Sequence, residues 1–203
     1  MEEKKKLLLH SCCGPCSTAV TERLIDRFDV TVYFYNPNIT NEGEYIKRLN
    51  TQCEFLEKFN RGFPQDTQIK LREAAYDPEG FIHAVKGLEN EPENGNRCTR
   101  CFMYRLERTA FEAFNNEFDM FASTLSVSPH KNTAVINDIG YELSNRTGIE
   151  FLDENFKKKD GFKRSTELSK EYNLYRQNFC GCIFSERPGA GAEDPSLERG
   201  IIT

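Results

Sequence analysis

Leu7-Leu8-Leu9-His10-Ser11-Cys12-Cys13-Gly14-Pro15-Cys16-Ser17 runs from an apolar stretch straight into a turn crowded with cysteine. Lys6 to Ser11 is predicted as a short buried strand, and Cys16 to Phe28 as an amphipathic helix with Ala19, Val20, Leu24 and Ile25 on one side. Between them Gly14 permits unusual backbone angles and Pro15 fixes entry into the helix, so Cys16 falls in its first turn.

The same alternation continues outward. Asp29 to Tyr35 is a second strand, dense in β-branched and aromatic residues and stopped by Asn36-Pro37-Asn38. Asn41 to Phe59 is a helix with Tyr45, Ile46, Leu49, Cys53, Leu56 and Phe59 as its apolar stripe. This stripe assigns the solitary Cys53 to the core. Thr67 to Ala75 supplies a third strand, and Asp77-Pro78 opens a short helix carrying Phe81, Ile82 and Val85. Gly87 to Arg97 is a polar loop, Thr99 to Asn115 a helix, and Phe118 to Val127 a strand ending in small hydroxyl residues. Asn132 to Thr147 is a helix, Ile149 to Leu152 a last strand and Ser165 to Tyr172 a helix. The expected fold is α/β: a parallel sheet of about five strands with helices on both faces, in one metal-binding domain spanning 1–203. Residues 187–203, rich in Gly, Pro and Glu, are expected to be a loosely held tail.

In such sheets ligands sit beyond the carboxyl ends of the strands, which is where the first cysteine group falls. The loop there, SCCGPCS, lacks the donor-rich glycine run of a phosphate cradle, so ATP chemistry at that position is not expected. No GxGxxG follows a strand either, which leaves a dinucleotide site without support.

The 203 residues are 38% hydrophobic and 29% charged, an ordinary globular composition, with net charge −5. That charge gives no global attraction for nucleic acid, so any RNA contact must come from a local basic patch. No run approaches the ~18 apolar residues of a membrane span. The three leucines before His10 are too few for a secretory core, so a cytoplasmic location without membrane attachment is expected.

Seven of the eight cysteines form three groups: Cys12, Cys13 and Cys16; Cys98 and Cys101; Cys180 and Cys182. In a reducing compartment such groups are read as metal or catalytic thiols before disulfides. A lone CxxC is a weak signal, shared by structural zinc and redox sites. Seven grouped thiolates exceed the four of a zinc site and match a 4Fe–4S cluster with up to three thiols left for a nearby metal or for substrate chemistry. Adjacent cysteines are expected to point apart and to serve two centres. On that logic Cys13, Cys98, Cys101 and Cys180 share one centre, the cluster, and Cys12, Cys16 and Cys182 stand near the other.

HSCCGPCS, YFYNPNI with EYIKR, CxxCFxxRLERTA, FASTLSVSPHKN, FKKKDGFKRSTELS and YRQNFCGCIFS together resemble the cobalamin-independent epoxyqueuosine reductase family of the QueH type, from about Leu7 to Ser185. The resemblance implies the adenine-nucleotide α-hydrolase-like (PP-loop) fold, a 4Fe–4S cluster beside a separate iron ion, and a tRNA substrate. It also implies reduction of epoxyqueuosine at the anticodon wobble position to queuosine, an oxidoreductase step drawing on an external electron donor. Tyr35, Tyr76, Asp77 and His10, near predicted strand ends, are candidates to protonate the departing oxygen. Lys157, Lys158, Lys159, Lys163 and Arg164, interleaved with Phe156 and Phe162, are candidate RNA contacts, although most charge runs are simply solvated. Arg97, Arg100, Arg105 and Arg108 add positive charge beside the CxxC. Competing readings are a sulfur-inserting iron–sulfur tRNA enzyme and a non-catalytic zinc-binding RNA module. A monomer is expected.

Overall fold

The computed structural model describes residues 4–185. Five strands form one parallel sheet: β1 (Lys6–Ser11), β2 (Asp29–Phe34), β3 (Lys70–Glu73), β4 (Met120–Ser123) and β5 (Glu150–Phe151), in the order β3-β2-β1-β4-β5. The alternation of side chains along the strands builds two cores. Leu7, Leu9, Met120 and Ala122 face α1 (Gly14–Leu24), α2 (Glu42–Asn60) and Phe156. Leu8 and Phe121 face α4 (Asn96–Asn115) and α5 (Thr133–Thr147). A short α3 (Pro78–Ala84) and α6 (Gly161–Glu171) complete the helices. Among the described residues no helix is long and apolar enough to cross a membrane. The proposed tail, 187–203, lies outside the described residues.

Four departures from the sequence-based boundaries matter for the site. α4 starts at Asn96 rather than Thr99, so both cysteines of the CxxC lie in its first two turns. β4 stops at Ser123, whose hydroxyl accepts from the Leu125 amide at 3.2 Å and winds Thr124–Val127 into a 3-10 turn. α6 starts at Gly161 rather than Ser165, after Lys159 and Asp160 adopt left-handed angles of 56° and 57°. The last part of the basic run is therefore helical.

The fourth departure concerns α2. Cys53 is exposed, as is Ile46, against the expected stripe. The buried face instead carries Arg48 and Gln52 with Tyr45, Phe55, Leu56 and Phe59. Gln52 is held in the interior by accepting from the Ser11 and Ser17 hydroxyls at 2.7 and 2.8 Å. Two polar residues with interior partners, Arg48 and the Gln52 carboxamide oxygen, thus go with a helix rotated away from the face that apolar periodicity alone selects.

Candidate metal centre and substrate cavity

The strand order reverses between β1 and β4, and this switch point is where the first cysteine group emerges. Cys13 is the N-cap of α1, with Pro15 in its first turn, and Cys16 stands three residues on. An N-cap side chain and the one three residues later meet over the helix end, the spacing of a capping box. A Cβ on Gly14 would lie 2.8 Å from the Thr51 carbonyl oxygen of α2, so only glycine lets α1 start this close to its neighbour. The result brings the three sulfurs of Cys12, Cys13 and Cys16 within 4.8 Å of one another, with Cys12 and Cys13 3.8 Å apart. Neighbouring thiols therefore converge here instead of diverging.

The donor set fits a metal. A tetrahedron with ~2.3 Å metal–sulfur bonds has an edge of about 3.8 Å, the Cys12–Cys13 spacing. Cys12 is held well below the ordinary thiol range because the Cys13 and Cys16 thiols hydrogen-bond to it. The same sharing pushes Cys13 up to about 12 and Cys16 well above its usual value. One thiolate thus forms at the expense of two thiols, and a bound cation is what lets all three ionise. The positive end of α1 favours the same charge state.

The other four cysteines, Cys98, Cys101, Cys180 and Cys182, all line a second, tight cavity of about 20 Å³ without converging as the trio does. The Asn94 amide donates to the Cys98 sulfur at 3.3 Å. Burial pushes Cys101 up to about 11. Cys180 is held low by a hydrogen bond from Cys182, whose own thiol is raised in exchange. The division expected from sequence put Cys13 with Cys98, Cys101 and Cys180, and Cys182 with Cys12 and Cys16. In space Cys13 sits against Cys12 and Cys16, and Cys182 packs with Cys101.

The segment bearing Cys180 is tied to α2. The Arg48 guanidinium, nearly fully buried, donates to the carbonyls of Cys180 at 3.0 Å and Phe179 at 3.3 Å and pairs with Glu44 at 2.5 Å. Tyr175 donates to Glu44 at 3.0 Å, and the Thr40 amide to the Gly181 carbonyl at 3.1 Å. Gly181 has φ +101°, a left-handed angle costly for any side chain, and it lets the two flanking cysteines turn inward.

Over these groups opens a cavity of about 380 Å³. Cys12, Cys16 and Cys180 line it, together with the cations Arg48, Arg105 and Lys131 and the carboxamides Asn36, Asn38 and Gln177. Lys131 stands 3.7 Å from the Cys180 sulfur, and the negative charge of that group raises its pKa. Arg105, fully buried, donates to Asn36 at 2.5 Å. Of the four arginines near the CxxC it is the one lining this cavity; Arg97 instead donates to the Glu89 carbonyl at 2.8 Å, and Arg100 to that of Ala84 at 3.3 Å.

None of the four acid candidates lines the 380 Å³ cavity. His10 is buried, with Nδ1 2.9 Å from the Ser123 hydroxyl and Nε2 3.1 Å from the Tyr35 carbonyl. The carbonyl can only accept, so Nε2 carries the proton, and burial pushes the pKa down to about 3. Burial raises the Tyr35 hydroxyl far above its usual range. Tyr76 donates to the Ile39 carbonyl at 2.8 Å. Asp77 caps α3 and accepts from Tyr104 at 3.1 Å.

The basic run divides. Phe156 is core, Lys157 donates to the Lys131 carbonyl at 2.5 Å, and Arg164 pairs with Glu22 at 2.6 Å. Lys158, Lys159 and Lys163 are exposed and, among the described residues, form no ion pair. Phe162 stays 42% exposed on the cavity rim with the Arg176 guanidinium 5.8 Å from its ring. Sequence reasoning missed Lys131, Arg48, Asn38 and Gln177. The one usable signal was position, since Asn38 and Lys131 follow β2 and β4 on the ligand edge of the sheet.

A family model described as "Epoxyqueuosine reductase QueH" matches residues 7–188. The chain is 42% identical over 184 residues to epoxyqueuosine reductase QueH of Streptococcus pyogenes serotype M1, covering 91% of this chain and 71% of the relative. It is 42% identical to the protein of that name from Acinetobacter baylyi, covering 90% and 81%. The Thermotoga maritima relative is 36% identical, with 88% and 89% covered. Among solved structures the chain is similar to the U34-tRNA thiolase NcsA from Methanococcus maripaludis with its [4Fe-4S] cluster, at TM-score 0.55 and 12% identity, over 92% of this chain and 63% of that one. At that identity the likeness speaks to the fold, a PP-loop-like α/β sheet.

Proposed function

The chain belongs to the epoxyqueuosine reductase QueH family, and on that premise we propose that its seven grouped thiols hold redox iron against a cavity that receives the modified base. As a tRNA-modifying oxidoreductase it removes the epoxide oxygen of epoxyqueuosine. The net reaction consumes two electrons and two protons, releases water and leaves queuosine. The observation that carries the reading is that cysteine groups some eighty residues apart line two neighbouring cavities, with Cys180 common to both.

We propose that the four thiols of Cys98, Cys101, Cys180 and Cys182 would hold a 4Fe–4S cluster, and that Cys12, Cys13 and Cys16 would hold a second iron. The count and type of donors support this partition. Iron so held supplies electrons one at a time and a Lewis acid for the epoxide oxygen. Arg48, Arg105 and Lys131 balance thiolate charge and favour an oxygen-rich substrate in this cavity. Tyr35, Tyr76, Asp77 and His10 serve as proton sources only through a relay, since none touches the cavity. A substitution series at these four, scored for oxygen loss at intact metal content, tests that role.

Exposed Lys158, Lys159 and Lys163 would meet the phosphates of an anticodon loop, and Phe162 with Arg176 would stack on a base beside the extruded wobble nucleotide. The chain is proposed to work as one cytoplasmic α/β domain, as a monomer, with electrons from an external donor. Anaerobic reconstitution with iron and sulfide, then assay on epoxyqueuosine-containing tRNA with a strong reductant and no cobalamin, tests the whole reading. Conversion to queuosine by a brown protein is expected. A colourless, zinc-only protein that leaves the nucleoside intact overturns it.

A further inference from the structure

Buried hydrogen-bonding atoms without partners are uncommon, because each costs free energy that folding does not return. Among the described residues, two acceptor atoms in this condition belong to cavity-lining carboxamides: Asn38 Oδ1 and Gln177 Oε1. Asn38 is only 2% exposed. In both residues the amide nitrogen is turned toward a cysteine. Gln177 Nε2 donates to the Cys13 sulfur at 2.9 Å, and Asn38 Nδ2 lies 4.0 Å from that of Cys180. With the nitrogen committed to sulfur, each oxygen is left without a partner of its own. The two residues come from separate segments, the turn after β2 and the stretch before Cys180, yet present the same chemistry.

We infer that Asn38 and Gln177 are specificity-determining residues, whose carboxamide oxygens accept hydrogen bonds from the hydroxyl groups on the cyclopentane ring of the modified base. The inference rests on the reading of this cavity as the epoxyqueuosine site. The epoxide oxygen can only accept, so it is not what an unpaired acceptor selects. The ring hydroxyls donate. The linking secondary ammonium also donates, and binding measurements separate the two.

The test uses the anaerobic, iron-loaded protein and fluorescently labelled anticodon hairpins that differ only at the wobble nucleoside. The nucleosides are epoxyqueuosine, queuosine, and 7-aminomethyl-7-deazaguanosine, which keeps an amine and lacks the ring. Wild type is expected to bind both ring-bearing hairpins about ten-fold more tightly than the ringless one, the scale of one buried hydrogen bond. Gln177→Leu and Asn38→Leu should shrink that preference to about three-fold or less, with the ringless hairpin bound as before. Gln177→Glu, which keeps an acceptor, should retain the preference, and it preserves the test if Asn38→Leu does not fold. Equal binding of all three hairpins by wild type, or an undiminished preference in Gln177→Leu, overturns the inference. If wild type converts epoxyqueuosine while either of those results is found, this inference alone fails. If it neither binds nor converts the epoxyqueuosine hairpin, the reading of the cavity fails with it.

Discussion

The two thiol groups are built by different means. Cys12, Cys13 and Cys16 lie within five residues, and one strand-to-helix turn with Gly14 and Pro15 sets their geometry. Cys98, Cys101, Cys180 and Cys182 come from the start of α4 and a segment without regular structure, and only long-range ties hold them together. The first group is rigid because the backbone dictates it. The second is as stable as the side chains that clamp it. The difference teaches where each group should fail: the trio through its own residues, the quartet also through residues that never touch metal.

Removing a thiol should have the largest effect. Cys12→Ala or Cys16→Ala is expected to cost about one iron, and Cys98→Ala or Cys101→Ala about four, each lowering turnover by more than about 100-fold. Anaerobic iron analysis reads this directly. Loss of about four irons from Cys13→Ala and of about one from Cys182→Ala would restore the division drawn from sequence and break the spatial one. Next comes the clamp. Arg48→Met leaves the half-buried Glu44 without its cation, with only the Tyr175 hydroxyl donating to it, and frees the Cys180 carbonyl, a destabilisation of about 3 kcal/mol in urea titration. Thiol labelling under native conditions should then rise at Cys180 and Cys182 and stay low at Cys13. Equal labelling of both groups would show that the trio depends on the same clamp.

Smaller effects are expected at the rim. Phe162→Leu should weaken anticodon-hairpin binding by about five-fold, the lower end of base–aromatic stacking. Neutralising Lys158, Lys159 and Lys163 should reduce the salt slope by about one for each phosphate no longer neutralised. Lys157→Gln, whose ammonium is tied to Lys131, should change the slope least. A slope unchanged by all three exposed lysines would assign the patch to solvent. The smallest effect is reserved for Cys53→Ser. As an exposed thiol belonging to neither group, it should leave iron content unchanged and stability within about 0.5 kcal/mol.

Much of the fold was legible because the sheet is parallel and buried. Strands such as DVTVYF and LLLHS are continuous apolar or β-branched runs, and helices of ordinary length separate them. Helix faces were less legible. On α2 the buried side holds Arg48 and Gln52, whose partners on Ser11, Ser17 and the Cys180 segment are remote in sequence, so apolar periodicity pointed Cys53 the wrong way. The cavity residues were hidden for the same reason. Nothing local marks Lys131, Asn38 or Gln177, which matter only because β4, β2 and the Cys180 segment end at one place.

The sequence by itself determined that seven cysteines fall in three groups, that the first sits at the ligand edge of a parallel sheet, and that no phosphate loop competes for that position. Spacing along a strand, turn and helix is a local property, and local geometry is written in consecutive residues. Tertiary structure alone decided which groups share a cavity, which cations face them and which carboxamides are left with a buried, unpartnered acceptor. Those juxtapositions join residues some eighty to one hundred and sixty positions apart, or, for Lys131 and Cys180, roughly fifty. Only packing of the whole sheet and its helices sets such distances.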